Sequence, residues 1–172
     1  GEVTHFVAVE RDTTERHTLH EAINKSNQLM KDILQNLPCG LSVFDGNLVL
    51  VAQNPQLRSL LGLPDSLFGG TETNFEEIIR FNALAGEYGV GDVEAIVSSI
   101  VERARHPTAH IFERQRPNGV PLEIRGVPLP GGGFITTYVE ISESKKGQLL
   151  LSEALEAAKQ ASVFKSQFLA NM

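Results

Sequence analysis

The arginines in the central part of the chain are the residues whose chemistry most suggests a ligand. Arg80, Arg114, Arg116 and Arg125 are interspersed with apolar segments. A guanidinium group presents several donors in a fixed fork, which matches the two oxygens of a carboxylate. A small anionic molecule is therefore one kind of ligand that this chain would bind. Within this group we take Arg80 and Arg125 as the candidate ligand-binding residues.

The alternative for these arginines is ion pairing on the surface of a sheet. Alternation along a strand places Arg125 on the face opposite to Ile124. Arg125 would then pair with Glu113 on the neighbouring strand. Glu123 would pair in the same way with Arg114. The sequence leaves both interpretations open.

Cysteine and histidine residues give no pattern typical of a metal centre or a nucleophilic enzyme. Cys39 is the single cysteine, so an internal disulfide is excluded. It precedes the first predicted strand, and we interpret it as a small, buried or semi-buried residue. His106 and His110 lie in a predicted loop and strand, without further ligands at a useful spacing. We predict no metal site and no catalytic residue, because no nucleophile–base pair is recognisable. The sequence shows no haem-ligand or flavin-adduct signature, and it does not identify a cofactor.

Composition limits the classes of partner. The chain has 172 residues, 41% of them hydrophobic, and a net charge of −6, which suits one ordinary domain with additional helices. No basic patch follows from this charge distribution, so we expect no nucleic-acid binding. No apolar run approaches the roughly 18 residues that cross a bilayer, so we expect no membrane insertion in this segment.

Hydrophobic periodicity predicts an α+β domain in the order β-β-α-α-α-β-β-β. Asn54 followed by Pro55 is a typical helix start, and Gly62 is a typical left-handed helix end. Asp92 is predicted to cap a later helix. The predicted strands are 41–44, 48–52, 110–116, 121–127 and 134–141, and the predicted helices are 55–61, 74–86 and 93–104. Because the strands and helices are segregated, the pattern favours an antiparallel sheet.

Two longer helices flank this domain, and both carry apolar stripes. The first, at 13–37, has a heptad-like seam that Pro38 terminates; the alternative is that it packs on its own domain. The closing helix, at 142–172, carries a wider stripe suited to a helical bundle. We predict a homodimer whose seam residues are Leu19, Ile23, Met30, Ile33, Leu150, Ala154, Ala157, Ala161, Phe164 and Phe168.

Two segments of the chain have a similar sequence pattern, as in an internal repeat. Residues 6–16 and 134–144 each consist of a β-rich run followed by an acid, a hydroxyl residue and a polar helix. Asp12 and Thr14 in the first copy correspond to Glu140 and Ser142 in the second, 128 positions later. A period of this size equals a whole domain and a linker. We therefore interpret residues 1–12 as the terminal strand of a preceding domain.

The ordered set of motifs resembles the PAS sensor domain over residues 38–144. The matching segments are 37–45 (LPCGLSVFD), 54–62 (NPQLRSLLG), 112–119 (FERQRPNG), 123–126 (EIRG) and 133–143 (GFITTYVEISE). Residues 1–16 resemble the tail of another PAS domain, with the exit motif D-x-T-x-R. The resemblance implies a five-stranded antiparallel sheet flanked by short helices, with a cavity that holds a ligand in some members. It also implies signal transfer at Asp12, Thr14, Glu140 and Ser142.

The last eight residues, K-S-Q-F-L-A-N-M at 165–172, resemble the opening of the dimerisation helix of bacterial sensor histidine kinases, hybrid kinases included. The resemblance implies that the chain stops just before the phosphoacceptor histidine. Residues 13–37 and 145–172 would then be a linker helix and a signalling helix. The implied partners are a downstream kinase domain, a response-regulator receiver and a small-molecule ligand, and the implied location is the cytoplasm. The fragment itself would be non-catalytic.

Two alternatives to this interpretation remain. The domain would be a ligand-free relay for a signal from the preceding domain, or it would feed another output such as a nucleotide cyclase. Only residues 165–172 argue against the second alternative.

Overall fold

The computed structural model describes the backbone of residues 14–171, and the side chains of these residues except 14–16, 168 and 170. The chain divides into two compact units, residues 1–36 and 37–172. The predicted strand at 1–12, and with it Asp12, lies outside the described residues.

In the described part of the first unit the chain forms one helix, α1 (Thr14–Asn36). It agrees with the predicted helix to within one residue at each end. The apolar seam residues of α1 are exposed in the single chain, from 47% for Ile33 to 59% for Leu19. An apolar stripe left in water on one face is typical of a helix that associates with another helix.

The second unit is built on a five-stranded antiparallel sheet, which confirms the predicted fold class. The strands are β1 (Gly40–Phe44), β2 (Leu50–Gln53), β3 (His110–Gln115), β4 (Pro121–Pro128) and β5 (Phe134–Glu140). Their spatial order is β2-β1-β5-β4-β3. The last strand therefore lies in the middle of the sheet, between β1 and β4.

Three helices cover one face of the sheet, and in the sequence they lie between β2 and β3. They are α2 (Pro55–Leu61), α3 (Phe75–Leu84) and α4 (Val93–Arg105). The predicted capping of α2 is confirmed, since the Asn54 side chain accepts a hydrogen bond from the Leu57 amide and Gly62 has φ of 66°. The Asp92 side chain caps α4 by accepting from the Ala95 amide at 2.8 Å.

The core lies between this sheet face and the helices. Phe44, Phe75 and Phe134 form an aromatic cluster with ring centroids 5.0–5.3 Å apart, an arrangement that adds to their burial energy. Leu57, Val97 and Leu122 are almost completely buried around this cluster. The core thus joins β1, β4 and β5 to all three helices.

Two local features differ from the sequence prediction. Strand β2 begins at Leu50 and not at residue 48, because Leu48 has φ of 64° and its side chain turns into the core. Asp45 supports this turn by accepting hydrogen bonds from the amides of Asn47 and Val49. A short 3₁₀ turn at Asp65–Phe68 was not predicted; its single turn is too short to show a period.

Strand β5 passes almost directly into the closing helix, α5 (Ser142–Ala170), with Ile141 alone between them. The Ile141 amide donates to the Pro121 carbonyl of β4 at 3.1 Å, and the Lys145 amide donates to the Ile141 carbonyl at 2.9 Å. Gly147 does not interrupt the helix. In the part of the chain that is described, no helix is long and apolar enough to span a membrane.

Candidate ligand cavity

A cavity of about 750 Å³ lies between the inner face of the sheet and helices α3 and α4. A volume of this size accommodates a small organic ligand. Its lining is mainly apolar and aromatic, with a few polar groups. The lining residues come from both layers: Phe75, Ile79, Tyr88, Ile100, Glu102, Arg103, Ala104, His106, Pro107, Thr108, His110, Phe112, Arg114, Ile124, Val127, Phe134, Thr136 and Tyr138.

Strand register fixes the floor of the cavity. Phe112, Ile124 and Tyr138 are directly opposite one another on β3, β4 and β5, so they form one row on the inner face. Ile124 is 4% exposed, whereas Phe112 is 47% exposed although it points to the same face. The edge strand therefore presents an uncovered aromatic side chain at the mouth of the cavity.

The neighbouring row explains why Gly126 is needed. His110 is opposite Gly126 on β4, and the imidazole ring lies over this glycine. A Cβ atom at position 126 would lie only 2.3 Å from Cε1 of His110, well inside van der Waals contact. The ring is held by a hydrogen bond between Nδ1 and the Thr108 carbonyl at 2.9 Å and stacks beside Phe112. Together, His110 and Phe112 form an aromatic shelf in which the ring centroids are 5.7 Å apart.

The polar end of the cavity is organised by a buried carboxylate, Glu87, in the loop after α3. Glu87 is 4% exposed. Nε of Arg116 donates to one of its oxygens at 2.8 Å, and a terminal nitrogen of Arg114 lies 3.3 Å from the other. Arg116 also donates to the carbonyls of Leu60 and Leu61 at the end of α2. The terminal nitrogens of Arg116 therefore both donate hydrogen bonds within the protein.

Two tyrosines lie beside this charged group. The Arg114 guanidinium lies 5.0 Å from the ring centroid of Tyr88, which is within the range of a cation–π contact. Burial raises the pKa of Tyr88, while the positive charge of Arg114 works in the opposite direction. Burial also raises the pKa of Tyr138 to about 12. Both phenols therefore keep their protons at neutral pH and can donate hydrogen bonds.

The two predicted ligand-binding arginines do not line this cavity. Arg80 on α3 is held by Glu76 at 2.8 Å and Glu94 at 2.9 Å, an exposed ion-pair network that bridges α3 and α4. Arg125 lies on the outer face of β4, 3.5 Å from Glu123 of the same strand. Their positions give no support to a role in ligand binding.

The predicted ion pairs between β3 and β4 are wrong. Glu113 is directly opposite Glu123, so the outer face brings two acids together at this register. Glu113 instead pairs with Lys145 of α5 at 2.5 Å. Arg114 points to the inner face, because it is opposite the buried Leu122. Arg125 and Arg114 consequently lie on opposite faces of the sheet.

Of the predicted signal-transfer residues, Glu140 and Ser142 lie together at the junction of β5 and α5. The Ser142 hydroxyl donates to Oε1 of Glu140 at 2.9 Å. Thr14 is the first residue of α1. The hydrogen bond between Glu140 and Ser142 ties the end of the strand to the first turn of the helix.

The predicted dimer seam of α5 is exposed in the single chain. Leu150 is 65% exposed and Phe164 is 73% exposed, and the alanines at 154, 157 and 161 are exposed with them. The side chain of Phe168 lies outside the described residues. Dimerisation through this seam remains a prediction.

Cys39 is half-buried and carries a free thiol. Its carbonyl accepts a hydrogen bond from the Asn54 side chain at 2.7 Å. Within the described residues, no group of three or more histidine, cysteine, aspartate or glutamate side chains converges as metal ligands would.

Arg114, Phe112 and Tyr88 are the site residues that sequence reasoning missed or left among several alternatives. A signal for the first two exists in the sequence, because His110, Phe112 and Arg114 alternate along β3 and must share one face. Tyr88 had no such signal, since it lies in a loop whose path only packing determines.

A family model described as the PAS fold matches residues 34–149. No curated protein matches the sequence. Similar solved structures include the PAS domain of an HTR-like protein from Haloarcula marismortui (15% identity, 73% of this chain and 99% of that chain, TM-score 0.46). The PAS domain of BvgS from Bordetella pertussis is another (16% identity, 78% and 99%, TM-score 0.49).

A domain of a sensory box sensor histidine kinase/response regulator from Geobacter sulfurreducens is also similar, with 14% identity over 69% of this chain and 96% of that chain, and a TM-score of 0.43. The family model covers more than half of the sequence, and it falls on the unit that carries the sheet, the three covering helices and the cavity. This chain therefore belongs to the PAS family, and its second unit is a PAS sensory domain.

Proposed function

We propose that this chain is the dimeric signal-input module of a cytoplasmic sensor histidine kinase. In this proposal the PAS domain converts an event in its cavity into a movement of α5, which controls ATP-dependent autophosphorylation of a downstream histidine. A receiver domain of a response regulator then accepts the phosphate. The observation that carries the proposal is the direct junction between β5 and α5.

The junction supports mechanical transfer because it contains no break. Strand β5 contributes Phe134, Thr136 and Tyr138 to the cavity lining, and Ile141 alone separates it from α5. Without a Gly or Pro hinge at this point, a shift of the strand is passed on as a rotation or translation of the helix. Edge strand β3 has a second connection to the same turn, through the pair of Glu113 and Lys145.

The apolar stripes of α5 support a dimer. Leu150, Leu155 and Phe164 are each more than half exposed in the single chain. Exposed apolar side chains in a row along one helix gain stability when a second helix covers them. The alanines between them allow the two helices to approach closely.

Phe164→Asp is expected to weaken dimerisation at least about tenfold, because it places a charge in the seam. The matched control is Val163→Asp. With 3.6 residues per turn, Val163 lies about 180° from the centre of the two apolar stripes, and it is also exposed, at 57%. Sedimentation velocity measures both variants. An unchanged dimer in Phe164→Asp, or equal losses in the two variants, would contradict the seam.

Signal transmission through α5 is tested by insertions after Ser152 in the full protein with its kinase domain. Seven added residues turn the helix by about −20° and four turn it by about +40°, at 100° per residue. We expect the seven-residue insertion to keep regulated autophosphorylation, while the four-residue insertion locks or inverts it. If both insertions behave alike, then α5 does not transmit a rotation.

The competing output is a nucleotide cyclase or another catalytic domain after α5. The motif at 165–172 favours the kinase, and a Ser-His-Glu sequence directly after residue 172 in the full protein would agree with it. The alternative to ligand sensing is a ligand-free domain that passes on a signal from a preceding domain. The cavity of about 750 Å³ favours ligand sensing.

A further inference from the structure

The residues that line the cavity carry more positive than negative charge. Two arginines, Arg103 and Arg114, line it, whereas Glu102 is the single carboxylate among the lining residues. Glu102 is 3.7 Å from Arg105, which lies outside the lining. Among the described residues Arg103 makes no side-chain hydrogen bond or ion pair. The lining therefore carries a net positive charge.

The buried carboxylate beside the cavity does not remove this excess. Glu87 is closer to Arg116, at 2.8 Å, than to Arg114, at 3.3 Å. One carboxylate thus serves two guanidinium groups. Nε of Arg114 is buried and has no hydrogen-bond partner. Oε2 of Glu87 also lacks a hydrogen bond, so the pairing between this carboxylate and Arg114 is incomplete. Arg114 lines the cavity, and an anion that enters it meets a guanidinium group whose charge is only partly neutralised.

The apolar part of the cavity defines the rest of the ligand. Phe112 is 47% exposed on a face where its neighbour Ile124 is buried. His110 lies beside it with an angle of 27° between the rings, and Gly126 leaves the space in which the imidazole lies. An uncovered aromatic side chain gains most from contact with another ring.

The distribution of groups selects one chemical class. The aromatic shelf of His110 and Phe112 and the guanidinium of Arg114 all project from alternate positions of β3 into the same cavity. Among the lining residues alone, Arg103 and Arg114 against Glu102 leave one excess positive charge, which suits a monoanion. A phosphate ester, with about two negative charges at neutral pH, would need more cationic donors than this lining offers.

We propose that the cavity binds an aromatic carboxylate, with its ring on the shelf formed by Phe112 and His110 and its carboxylate on the Arg114 guanidinium. This assignment rests on the proposed sensory function and specifies its input. Tyr88 and Tyr138 also line the cavity, and the Tyr88 ring lies 5.0 Å from the Arg114 guanidinium.

The test is calorimetric titration of the chain 1–172 with three probes: benzoate, 1-naphthoate and indole-3-acetate. Two comparison compounds each lack one feature. 1-Naphthamide has the ring without the charge, and cyclohexanecarboxylate has the charge without the aromatic ring. We expect at least one aromatic acid to bind, and its neutral or non-aromatic analogue to bind at least about tenfold more weakly.

Variants of the two recognition groups follow. Arg114→Gln is expected to lose at least about tenfold in affinity, since it removes a charge-assisted hydrogen bond. Arg114→Lys keeps the charge beside Glu87 but loses the fork, and should lose several-fold. Phe112→Ala should lose roughly threefold to tenfold through the missing ring contact. Circular dichroism and thermal unfolding establish that each variant is folded, and the half-exposed Phe112 allows the test even if Arg114 variants unfold.

The matched controls lie on the outer face of the same sheet. Arg125→Gln removes a guanidinium group that is exposed and paired with Glu123, and Ile111→Ala removes an apolar side chain that is 55% exposed. Both should leave the affinity unchanged. Equal losses in Arg125→Gln and Arg114→Gln would overturn the assignment.

Other outcomes also decide against this ligand class. If none of the three acids binds at about 10 mM, or if 1-naphthamide binds as well as 1-naphthoate, the class is wrong. Such a result leaves the relay intact when the insertions in α5 still differ in their effect on autophosphorylation. Conversely, if the aromatic acids bind while both insertions have the same effect on autophosphorylation, the result would support the ligand site and contradict signal transmission through α5.

Discussion

Glu87→Ala is expected to destabilise the PAS domain by about 3–5 kcal/mol. Glu87 is 4% exposed and neutralises Arg116 at 2.8 Å and Arg114 at 3.3 Å. Removing it leaves two guanidinium groups close together in a medium that solvates them poorly. Urea unfolding followed by circular dichroism measures the change, through the shift of the midpoint at constant slope.

The loss has a structural consequence beyond the ion pair. Arg116 binds the carbonyls of Leu60 and Leu61 at the end of α2, so Glu87 fixes a side chain that connects β3 to α2. We expect the variant to unfold cooperatively at a lower urea concentration and not to lose one loop alone.

Glu113→Ala is the matched control for Glu87→Ala. Glu113 also forms a short ion pair, 2.5 Å from Lys145, but both side chains are about half exposed. Exposed pairs contribute roughly 0–1 kcal/mol, so this variant should be nearly as stable as the native chain. A cost below about 1 kcal/mol for Glu87→Ala as well would mean that the buried network contributes no net stability.

Asn54→Ala is expected to cost roughly 3–5 kcal/mol, although the sequence identifies Asn54 only as a helix cap. Asn54 is 0% exposed. Its Oδ1 accepts from the amides of Leu41 at 2.9 Å and Leu57 at 3.1 Å, and its Nδ2 donates to the Cys39 carbonyl at 2.7 Å. Alanine would remove this partner from the buried Leu41 amide and from the Cys39 carbonyl, while the Leu57 amide would keep only its bond of 3.2 Å to the backbone carbonyl of residue 54.

Asn74→Ala provides a control of the same residue type in the same role. Asn74 is the N-cap of α3, but it is exposed, so water replaces the lost side chain. Its cost should be about 1 kcal/mol. Chemical denaturation of both variants gives the difference directly. Equal costs would show that the bonds from Asn54 to β1 contribute little.

Asn54→Ser separates capping from the tertiary bonds. A serine hydroxyl is able to cap Leu57 but is too short to reach both Leu41 and Cys39. We therefore expect its stability to fall between the native chain and Asn54→Ala. The residue joins the first strand to the first helix of the domain, so this series measures how strongly that corner is fixed.

The secondary structure of this chain was largely predictable because its signals are local. Asn54 and Pro55 at the start of α2, Gly62 at its end and Asp92 before α4 act through residues three or four positions away. Alternation correctly separated Ile124 from Arg125. The ordered motifs also identified the PAS family, which the family model confirms.

The cavity required the tertiary structure because its groups come from distant parts of the sequence. Arg114 meets Glu87 from 27 positions away, and Arg116 meets the carbonyls of α2 from 56 and 55 positions away. Periodicity states which face of β3 these side chains occupy, but it does not state what covers that face. The prediction that Arg80 binds a ligand has no support because its guanidinium group is paired within the protein. Glu76 lies one turn before it in α3, and Glu94 comes close only when α4 packs beside α3.

The sequence by itself determined the elements, their caps and the family, since each depends on neighbours along the chain. The tertiary structure alone decided that β5 lies in the centre of the sheet, that Glu113 meets Lys145 and that Arg114 enters the cavity. These features arise when the core closes and brings remote strands into register. Burial of that core is a property of the whole domain, so no single segment encodes it.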